Sequence, residues 1–240
     1  MNFALILAGG TGQRMGNVQV PKQFLLLNNK AILLHTLEKF YLLKEEFEKI
    51  IIAAHPSWFA YTRDLIEKNF APDAEVFEVI TGGGTRHDTV KRGLSFLQNN
   101  FELTSNDIIL THDAVRPFIS YKIIKENIEK TLQFSAVDTV ISSIDTIVYS
   151  EDGEQISEIP ERSKYYHGQT PQSFKIQELI DIYNNVSEKN LDNTTDVAKL
   201  YRLLNKTVYL VKGEQLNFKI TTPFDLTIAR ALLERDGKGD

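Results

Sequence analysis

Glycines and cations lie close together near the start of the chain, a combination that suits phosphate binding. Gly9, Gly10 and Gly12 follow an apolar stretch, and Arg14 and Lys22 come after them. Glycine lets backbone N–H groups approach a phosphate closely, while Arg offers a planar fork and Lys a compact charge. The segment predicts a phosphate-binding loop; the alternative is an ordinary strand-to-helix turn with incidental basic residues.

Two well-known glycine loops do not fit this segment. The Walker loop needs four residues between its glycines and then Lys with Ser or Thr, whereas five residues separate Gly10 from Gly16, and Asn17 follows. The dinucleotide fingerprint needs a third glycine where Met15 stands and an acidic residue about 20 positions later. Residues 30–34 contain no acid. Neither of these two kinds of site is therefore predicted.

A second glycine-rich segment spans residues 82–89, next to a predicted helix start. It begins with three consecutive glycines and continues with hydroxyl and charged side chains. Backbone donors and hydroxyls at such a place suit a sugar, a base edge or a phosphate. The alternative is a tight strand-to-helix connection in which Asp88 or Thr89 caps the helix.

Asp113 comes at the end of an apolar stretch and is a candidate metal ligand. Mg²⁺ takes oxygen ligands and bridges phosphates, so a carboxylate beside a phosphate loop predicts a magnesium ligand. The alternative is that Asp113 caps a turn before Pro117. Arg116 either meets an anion or pairs with Asp113, and His112 is expected to orient or pack rather than to bind metal.

The second half of the chain offers three further polar candidates, Arg162, Thr170 and Lys219. Residues 166–172 are polar and turn-forming, unlike an ordinary helix or core strand. Lys219 stands between two apolar residues, so its ammonium group is expected to point to one face of a short strand. This position of Lys219 indicates either an anion pocket for a second substrate or a surface salt bridge.

Apolar patterning places these candidates on alternating strands and helices. The predicted strands are residues 3–7, 49–54, 75–80, 107–111, 136–141, 207–211 and 217–220. The predicted helices are 32–41, 57–70, one ending at residue 97, 121–134 capped by Ser120, 175–186, one ending at 204 capped by Thr194 or Thr195, and one starting at Pro223. This alternation predicts a mostly parallel sheet covered on both faces. Ligands bind beyond the carboxyl ends of such strands, where both glycine segments and Asp113 fall.

Composition narrows the class of protein. The chain has 240 residues, of which 42% are apolar, and residues 1–240 are expected to form a single domain with an excursion at 145–160. Its net charge of −5, without a polybasic block, argues against nucleic acid as a partner. The absence of cysteine excludes disulfides and thiolate chemistry. With no secretory signal and no apolar run of membrane-spanning length, a cytoplasmic protein without a membrane partner is expected.

Two phosphate-directed segments and a magnesium candidate indicate phosphoryl or nucleotidyl transfer, and together with the second-half motifs they resemble a known family. The chain is similar, over nearly its whole length, to the cytidylyltransferases of the methylerythritol phosphate and ribitol phosphate type. The motifs are Leu7-Ala8-Gly9-Gly10, Gly12, Arg14-Met15-Gly16, Pro21-Lys22-Gln23, His112-Asp113-Ala114-Val115-Arg116-Pro117, Gln169-Thr170-Pro171-Gln172 and Asn217 with Lys219-Ile220-Thr221. Further motifs at residues 137–140, 144–148 and 211–214 are more similar to the ribitol phosphate branch.

The resemblance implies a Rossmann-like three-layer α/β sandwich with a mostly parallel central sheet and a protruding β-arm. It implies that a polyol phosphate oxygen attacks the α-phosphorus of CTP and that pyrophosphate leaves, with Arg14 and Lys22 catalytic and Asp113 near Mg²⁺. The CTP-binding residues that it implies are Leu7, Ala8, Gly9, Gly10, Gly83, Gly84, Thr85, Arg86, His87, Asp88 and Thr89. The residues implied for the polyol phosphate are Arg162, Lys219, Arg116, Thr146 and Thr170.

The resemblance also implies a homodimer joined through the arm, which allows Arg162 to act in the partner subunit's site. The implied product, CDP-ribitol, serves teichoic acid or capsule synthesis. Two alternatives stay open: methylerythritol phosphate as the acceptor, for isoprenoid synthesis, and, from another class, a nucleotide-binding regulator without catalysis. The presence of Arg14, Lys22 and Asp113 argues against the regulator.

Overall fold

The computed structural model describes residues 1–10, 20–192, 194 and 196–236. Arg14, which the sequence predicts to be catalytic, lies outside the described residues. So do Gly12 and Thr195, the second of the two predicted helix caps near residue 194. The role assigned to Arg14 therefore stays a prediction.

A seven-stranded sheet forms the centre of the molecule. The strands are β1 Asn2–Ala8, β2 Leu26–Leu27, β3 Lys30–Ala31, β4 Lys49–Ala54, β5 Phe77–Thr81, β6 Ile108–Asp113, β7 Ala136–Ser142, β8 Tyr166–Lys175 and β9 Tyr209–Lys212. The strand order is β5-β4-β1-β6-β8-β7-β9, and β2 pairs with β3 in a small separate hairpin. β8 runs antiparallel to both of its neighbours, and every other pairing in the large sheet is parallel. The predicted mostly parallel sheet is confirmed.

Helices connect the strands. They are α1 Ile32–Tyr41, α2 Phe59–Asn69, α3 Arg86–Asn100, α4 Tyr121–Phe134, α5 Ile176–Asn185, α6 Glu188–Asp192, α7 Val197–Leu203 and α8 Pro223–Asp236. Short 3₁₀ turns lie at Lys22–Phe24, Lys44–Glu46, Pro56–Trp58, Ala71–Val76 and Arg162–Lys164. Within the part of the chain that the structure describes, none of these helices has the length and apolarity needed to cross a membrane.

The sheet is covered on both faces, because its strands alternate side chains between two cores. In β4, Ile50 and Ile52 join the core under α1, α2 and α4, while Ile51 joins the core under α3, α5 and α7. All three isoleucines are fully buried, and burying each one contributes about 1.5–3 kcal/mol. A third, smaller core packs α8 against Leu27 of the hairpin and against Val115. The predicted three-layer arrangement is confirmed.

Side-chain caps fix where three helices begin. Ser120 accepts a hydrogen bond from the N–H of Ile123, so the predicted cap of α4 is confirmed. For α3 the cap is Thr85 rather than Asp88 or Thr89, which the alternative interpretation had suggested; Asp88 completes the capping box, because its Oδ2 accepts from the N–H of Thr85. For α7 the cap is Asp196, which accepts from the N–H of Lys199, rather than Thr194. In both cases the side chain at the first non-helical residue satisfies the free N–H groups of the first turn.

Two predictions, one of a turn and one of a strand, were wrong in the second half. Residues 166–172 form most of β8 instead of a turn; residues 169–172 are buried there, and the side chains of Thr170 and Gln172 have hydrogen-bond partners inside the protein. Residues 217–220 form no strand; Asn217 closes a turn onto Glu214 O, and the N–H of Ile220 bonds to Val115 O. In the first half, β5 starts at Phe77 rather than at residue 75, since residues 71–76 form a 3₁₀ turn.

The arm is the segment of residues 143–165 that connects β7 to β8. The predicted pair of strand-like pieces is reduced to one antiparallel bridge between Tyr149 and Glu158. Gly153, with a φ of 78°, turns the chain between them. Apolar side chains of the arm are exposed: Ile144, Val148, Tyr149, Ile156 and Ile159. The arm thus presents apolar surface that this chain does not bury.

Candidate active site

A cavity of about 500 Å³ opens at the carboxyl ends of β1, β5 and β6, within the usual size of small-molecule sites. The structure here brings together the two glycine segments and Asp113, which the sequence expected to meet. The lining residues are Leu7, Gly9, Gly10, Lys22, Gln23, Gly83, Gly84, Thr85, Arg86, Thr89, Asp113, Ala114, Val115, Lys219 and Thr221. Most of them come from loops that follow parallel strands, where this class of sheet binds ligands.

Gln23 holds the start of the first glycine loop. Its side-chain Nε2 donates to Ala8 O at 2.7 Å and to Gly10 O at 3.0 Å, and the residue is almost completely buried. These two bonds fix the path of the chain as it leaves β1. Sequence reasoning quoted Gln23 in a motif without giving it a role; a lone glutamine after Pro21 and Lys22 was the available signal.

The second glycine loop is tied to the start of α3 by Thr89. The Thr89 hydroxyl accepts from Gly83 N at 3.0 Å and donates to Thr85 O at 2.8 Å. A Cβ atom added at Gly83 would stand 2.2 Å from Cβ of Asp88. Only glycine fits at this position, because the loop backbone packs directly on the first turn of the helix.

We therefore expect Gly83→Ala to destabilise the protein by about 1–3 kcal/mol, the usual cost of overpacking. Urea unfolding of the protein without ligand measures this. The matched control is Gly168→Ala, since a Cβ there would meet nothing within 4 Å. Equal free energies of unfolding for the two variants would show that the loop can move away from α3.

Asp113 is the centre of a cluster of opposite charges. Arg86 Nη1 lies 2.6 Å from Oδ1, while Lys219 Nζ lies 3.1 Å and Arg116 Nε 3.3 Å from Oδ2. Burial of this carboxyl opposes ionisation, but the attraction of the three cations outweighs it and holds the pKa of Asp113 well below its usual range. Three cations face one carboxylate, so the cluster carries surplus positive charge toward the cavity.

The residues around Asp113 accommodate a metal ion only in part. Within the described residues, no three His, Asp or Glu side chains come together as a metal-binding group. Both oxygens of Asp113 already bind cationic groups. Mg²⁺ commonly takes one or two carboxylates and completes its shell with substrate phosphates and waters. Asp113 therefore fits a metal that arrives on a phosphorylated ligand, not a metal held by the protein alone.

Most residues predicted to bind CTP line the cavity, and three do not. Ala8 belongs to β1 and meets Gln23 through its carbonyl. His87 is buried, and its ring nitrogens lie 2.9 Å from Tyr183 Oη and 2.9 Å from Thr194 O; burial lowers its pKa. Asp88 serves the capping box of α3. These three residues shape the loops rather than face the cavity.

The residues predicted for the polyol phosphate are divided among three places. Lys219 lines the cavity. Arg116 and Thr170 are buried behind Asp113, with their polar groups bonded within the protein. Arg162 and Thr146 lie on the exposed arm and are not among the lining residues; Arg162 Nη1 donates to Ile144 O at 2.5 Å. One chain thus brings only Lys219 of this group to the cavity.

Sequence reasoning missed four lining residues: Gln23, Ala114, Val115 and Thr221. Ala114 and Val115 directly follow Asp113 at the end of β6, so their position beside a predicted metal ligand was a usable signal. Thr221 follows Lys219 by two residues. None of these side chains carries a charge, which is why a search for charged groups passed over them.

Two further carboxylates, those of Asp138 and Asp196, share one hydrogen-bond donor. Gln172 Nε2 donates to Oδ1 of Asp138 at 3.1 Å and to Oδ1 and Oδ2 of Asp196 at 3.1 and 3.0 Å. Burial, and then repulsion from Asp196, raises the pKa of Asp138 to about 7. The hydrogen bond from Gln172, and then the charges of Arg86 and Arg116, oppose this rise of the pKa.

This raised pKa predicts a pH-dependent stability. The folded state holds a proton on Asp138 more tightly than the unfolded state, so between about pH 4 and pH 7 stability falls as pH rises. Asp138→Asn removes this dependence while it keeps an acceptor for Gln172. We expect the variant to gain more stability over the parent protein at pH 8 than at pH 5, measured by urea unfolding. Asp64→Asn, at an exposed site on α2, is the control; an equal gain at both pH values would contradict the assignment.

The geometry defines a class of protein before any comparison. Backbone donors from two glycine loops, the start of α3, and the side chains of Lys22, Arg86 and Lys219 form a site that can hold a phosphorylated nucleotide on a parallel sheet. Positioning and charge neutralisation suffice for transfer chemistry at phosphorus.

The comparisons give the family. The model of the 2-C-methyl-D-erythritol 4-phosphate cytidylyltransferase (IspD) family matches residues 3–235, and the chain belongs to this family. It is therefore a cytidylyltransferase, an enzyme of the nucleotidyltransferase class.

Relatives of two kinds are similar to this chain. A ribitol-5-phosphate cytidylyltransferase from Lactiplantibacillus plantarum is 48% identical over 98% of this chain and 99% of its own length. The solved 4-diphosphocytidyl-2C-methyl-D-erythritol synthase from Anaerococcus prevotii is 28% identical, with a TM-score of 0.78 and 98% of both chains covered. The 2-C-methyl-D-erythritol 4-phosphate cytidylyltransferase from Thermus thermophilus is 28% identical, with a TM-score of 0.72 over 96% of this chain and 98% of its own.

Proposed function

We propose that this enzyme transfers the cytidylyl group of CTP to ribitol 5-phosphate, giving CDP-ribitol and pyrophosphate. The observation that carries the proposal is the 48% identity, over nearly the full length of both chains, with a ribitol-5-phosphate cytidylyltransferase. The two solved structures described above, which are named for methylerythritol phosphate, are each 28% identical to this chain. We propose that the CDP-ribitol serves teichoic acid or capsule synthesis and that the enzyme acts in the cytoplasm.

The cavity supports an in-line displacement. A phosphate oxygen of ribitol 5-phosphate forms a bond to the α-phosphorus of CTP, and the bond from that phosphorus to the bridging oxygen of the β-phosphate breaks. Pyrophosphate takes the electron pair. Lys22, together with Arg14, neutralises charge that develops on the triphosphate, and Lys219 holds the phosphate of the acceptor. The residues from Gly83 to Thr89 that line the cavity hold the cytidine.

The proposed reaction also includes a magnesium ion. Mg²⁺ would enter with CTP and have Asp113 as a protein ligand, in exchange for one of the ion pairs that Asp113 makes in the free protein. It would supply charge neutralisation of the phosphates. Arg86 and Lys219 are the cations placed to release Asp113, because both are more exposed than Arg116 and both line the cavity.

A pyrophosphate-release panel tests the assignment. It crosses four nucleoside triphosphates with ribitol 5-phosphate, methylerythritol 4-phosphate and other polyol phosphates, with Mg²⁺ present. We expect release only with CTP and ribitol 5-phosphate. Brisk release with methylerythritol phosphate alone would transfer the assignment to that acceptor, which the family description favours. Binding of CTP without turnover on any acceptor would identify a nucleotide-binding regulator.

We further propose a homodimer in which the arm of each subunit completes the other subunit's cavity. Two observations support it: the arm exposes apolar side chains, and Arg162 and Thr146 do not reach the cavity of their own chain. A twofold dimer would bury the apolar surface and bring both residues to the partner's Lys219.

Mixing two inactive variants tests this proposal. In a heterodimer of Arg162→Ala and Lys22→Ala, one cavity combines an intact loop with an intact arm. An equimolar mixture should then recover about one quarter of the parent activity, because half of the dimers are mixed and each has one intact site. No recovery after subunit exchange, or a fully active monomer, would exclude the shared site.

A further inference from the structure

We propose that Asp225 is a positioning residue for the acceptor: it holds the backbone at Thr221, and through it the lysine at position 219 that faces the cavity. The inference rests on the proposed function, in which Lys219 binds the phosphate of the acceptor. Asp225 belongs to α8 and is not among the described residues that line the cavity. It therefore acts through the chain rather than on a substrate.

The carboxylate of Asp225 accepts two N–H groups just before α8. Its Oδ2 lies 2.8 Å from the N of Thr221 and 2.8 Å from the N of Thr222. Thr222 returns a bond, because its Oγ1 accepts from the N–H of Asp225 at 3.3 Å. The two bonds between Thr222 and Asp225 make a capping box for the helix. The bond from Thr221 is not part of that box, and it ties the preceding segment to α8.

Thr221 passes this constraint on to Lys219. Thr221 Oγ1 donates to Lys219 O at 3.2 Å, and between the two residues the N–H of Ile220 donates to Val115 O at 2.9 Å. The side chain of Ile220 is fully buried in the core that it shares with α8. The backbone is thus held at each residue from 219 to 221, which fixes the direction in which the Lys219 side chain leaves it.

Lys219 depends on this support because packing does not fix its side chain. Its Nζ lies 3.1 Å from Asp113 Oδ2, yet the side chain is 36% exposed, whereas that of Arg116 is 9% exposed. A lysine carries its charge on a flexible four-carbon stem, so the place of its backbone decides where the charge can reach. A shift of about 1 Å in a group that positions a substrate can cost as much as about 10²-fold in rate.

The charge of Asp225 offers a second way to influence the cavity, and one substitution separates the two. Burial opposes ionisation of Asp225, but the hydrogen bonds from Thr221 and Thr222, and then the charge of Lys22, hold its pKa below the usual value. Asparagine keeps an oxygen that can accept from both N–H groups, while it removes the negative charge near Lys22. A positioning role therefore predicts that asparagine replaces Asp225 well.

Steady-state kinetics of the full-length enzyme test the inference. We expect Asp225→Ala to raise the KM for ribitol 5-phosphate about tenfold, a size that the loss of two hydrogen bonds can produce, and to leave the KM for CTP unchanged. Asp225→Asn should stay within about threefold of the parent, because a neutral acceptor makes only a weaker bond. Asparagine as damaging as alanine would assign the effect to charge and overturn the inference.

A double-mutant cycle shows whether Asp225 acts through Lys219. In the Lys219→Ala background, Asp225→Ala should raise the KM for ribitol 5-phosphate no further, because both changes affect the same side chain. A second tenfold rise in that background would show independent roles and overturn the inference.

Thr222→Ala is the matched control, because it removes the other half of the capping box and leaves the bond between Thr221 and Asp225 in place. It should lower the free energy of urea unfolding, as Asp225→Ala does, and leave the KM for ribitol 5-phosphate unchanged. A KM raised as much as in Asp225→Ala would show that only the stability of α8 matters, which contradicts a positioning role.

Amide hydrogen exchange of the free protein, followed by NMR, needs no acceptor. Asp225→Ala should speed exchange at the amide of Thr221, and Thr222→Ala should not. Unchanged exchange at Thr221 in Asp225→Ala would overturn the inference. If the parent protein released no pyrophosphate, the proposed function would fail, while the exchange rates would still decide whether Asp225 holds Thr221.

Discussion

Lys22→Ala should lower kcat for pyrophosphate release by about 10²–10³, the usual loss when one donor to developing charge is removed. Lys22 is the first residue of the 3₁₀ turn Lys22–Phe24, and it lines the same cavity as Lys219. The negative charge on the triphosphate grows in the transition state, so the loss should fall mainly on kcat rather than on the KM for CTP.

The matched control for this prediction is Lys122→Ala, which removes an exposed lysine of α4 far from the cavity. It should leave both kinetic constants unchanged. Lys22→Arg should restore part of the activity, because it returns the charge with a different shape. Unchanged turnover in Lys22→Ala would contradict the mechanism proposed for the loop.

Asp113→Asn should abolish turnover and also destabilise the folded protein by about 3 kcal/mol. The substitution leaves Arg86, Arg116 and Lys219 close together without their shared counter-charge. The estimate is at the low end for a broken buried pair, since Arg86 and Lys219 partly reach solvent and are screened there. Urea unfolding and pyrophosphate release measure the two effects.

An anion distinguishes loss of the counter-charge from general damage to the fold. Inorganic pyrophosphate should stabilise Asp113→Asn more than it stabilises the parent protein, because the variant has more uncompensated positive charge at the cavity. Asp64→Asn, which changes an exposed carboxylate on α2, should respond like the parent. An equal response of all three proteins would show that Asp113 does not neutralise the cluster.

Sequence reasoning succeeded where a local signal determines the structure. β4 and α1 have the predicted bounds, because a run of isoleucines favours a buried strand and apolar residues at helical spacing favour a helix. α4 also begins and ends where predicted, since Ser120 provides a cap that can be read from the chain. These signals depend only on residues that are close together in the sequence, so the amino-acid sequence alone is enough to recognise them.

Sequence reasoning failed where the decisive partner is distant. Gln169, Thr170 and Gln172 look like loop residues, yet they are buried in β8 because their partners come from β6, β7 and the segment around Asn217. The same holds in the site: the meeting of Asp113 with the two glycine segments follows from topology and was expected, whereas the contact of the Thr170 hydroxyl with His112 required coordinates. A sequence shows which side chains carry a charge, but it does not show whether their polar groups already have hydrogen-bond partners.

The antiparallel insertion of β8 has a consequence for the order of folding. β6 and β7 share no ladder with each other, and β8, which fills the gap between them, is made only after the whole arm. In a chain emerging from the ribosome, the edges of β6 and β7 that pair with β8 therefore stay unpaired until residue 175 is available, and these edges are open to wrong partners. Lys219 arrives later still, so the cation cluster is assembled in the last stage of synthesis, and a truncated chain would lack Lys219 and the loop that anchors Arg116.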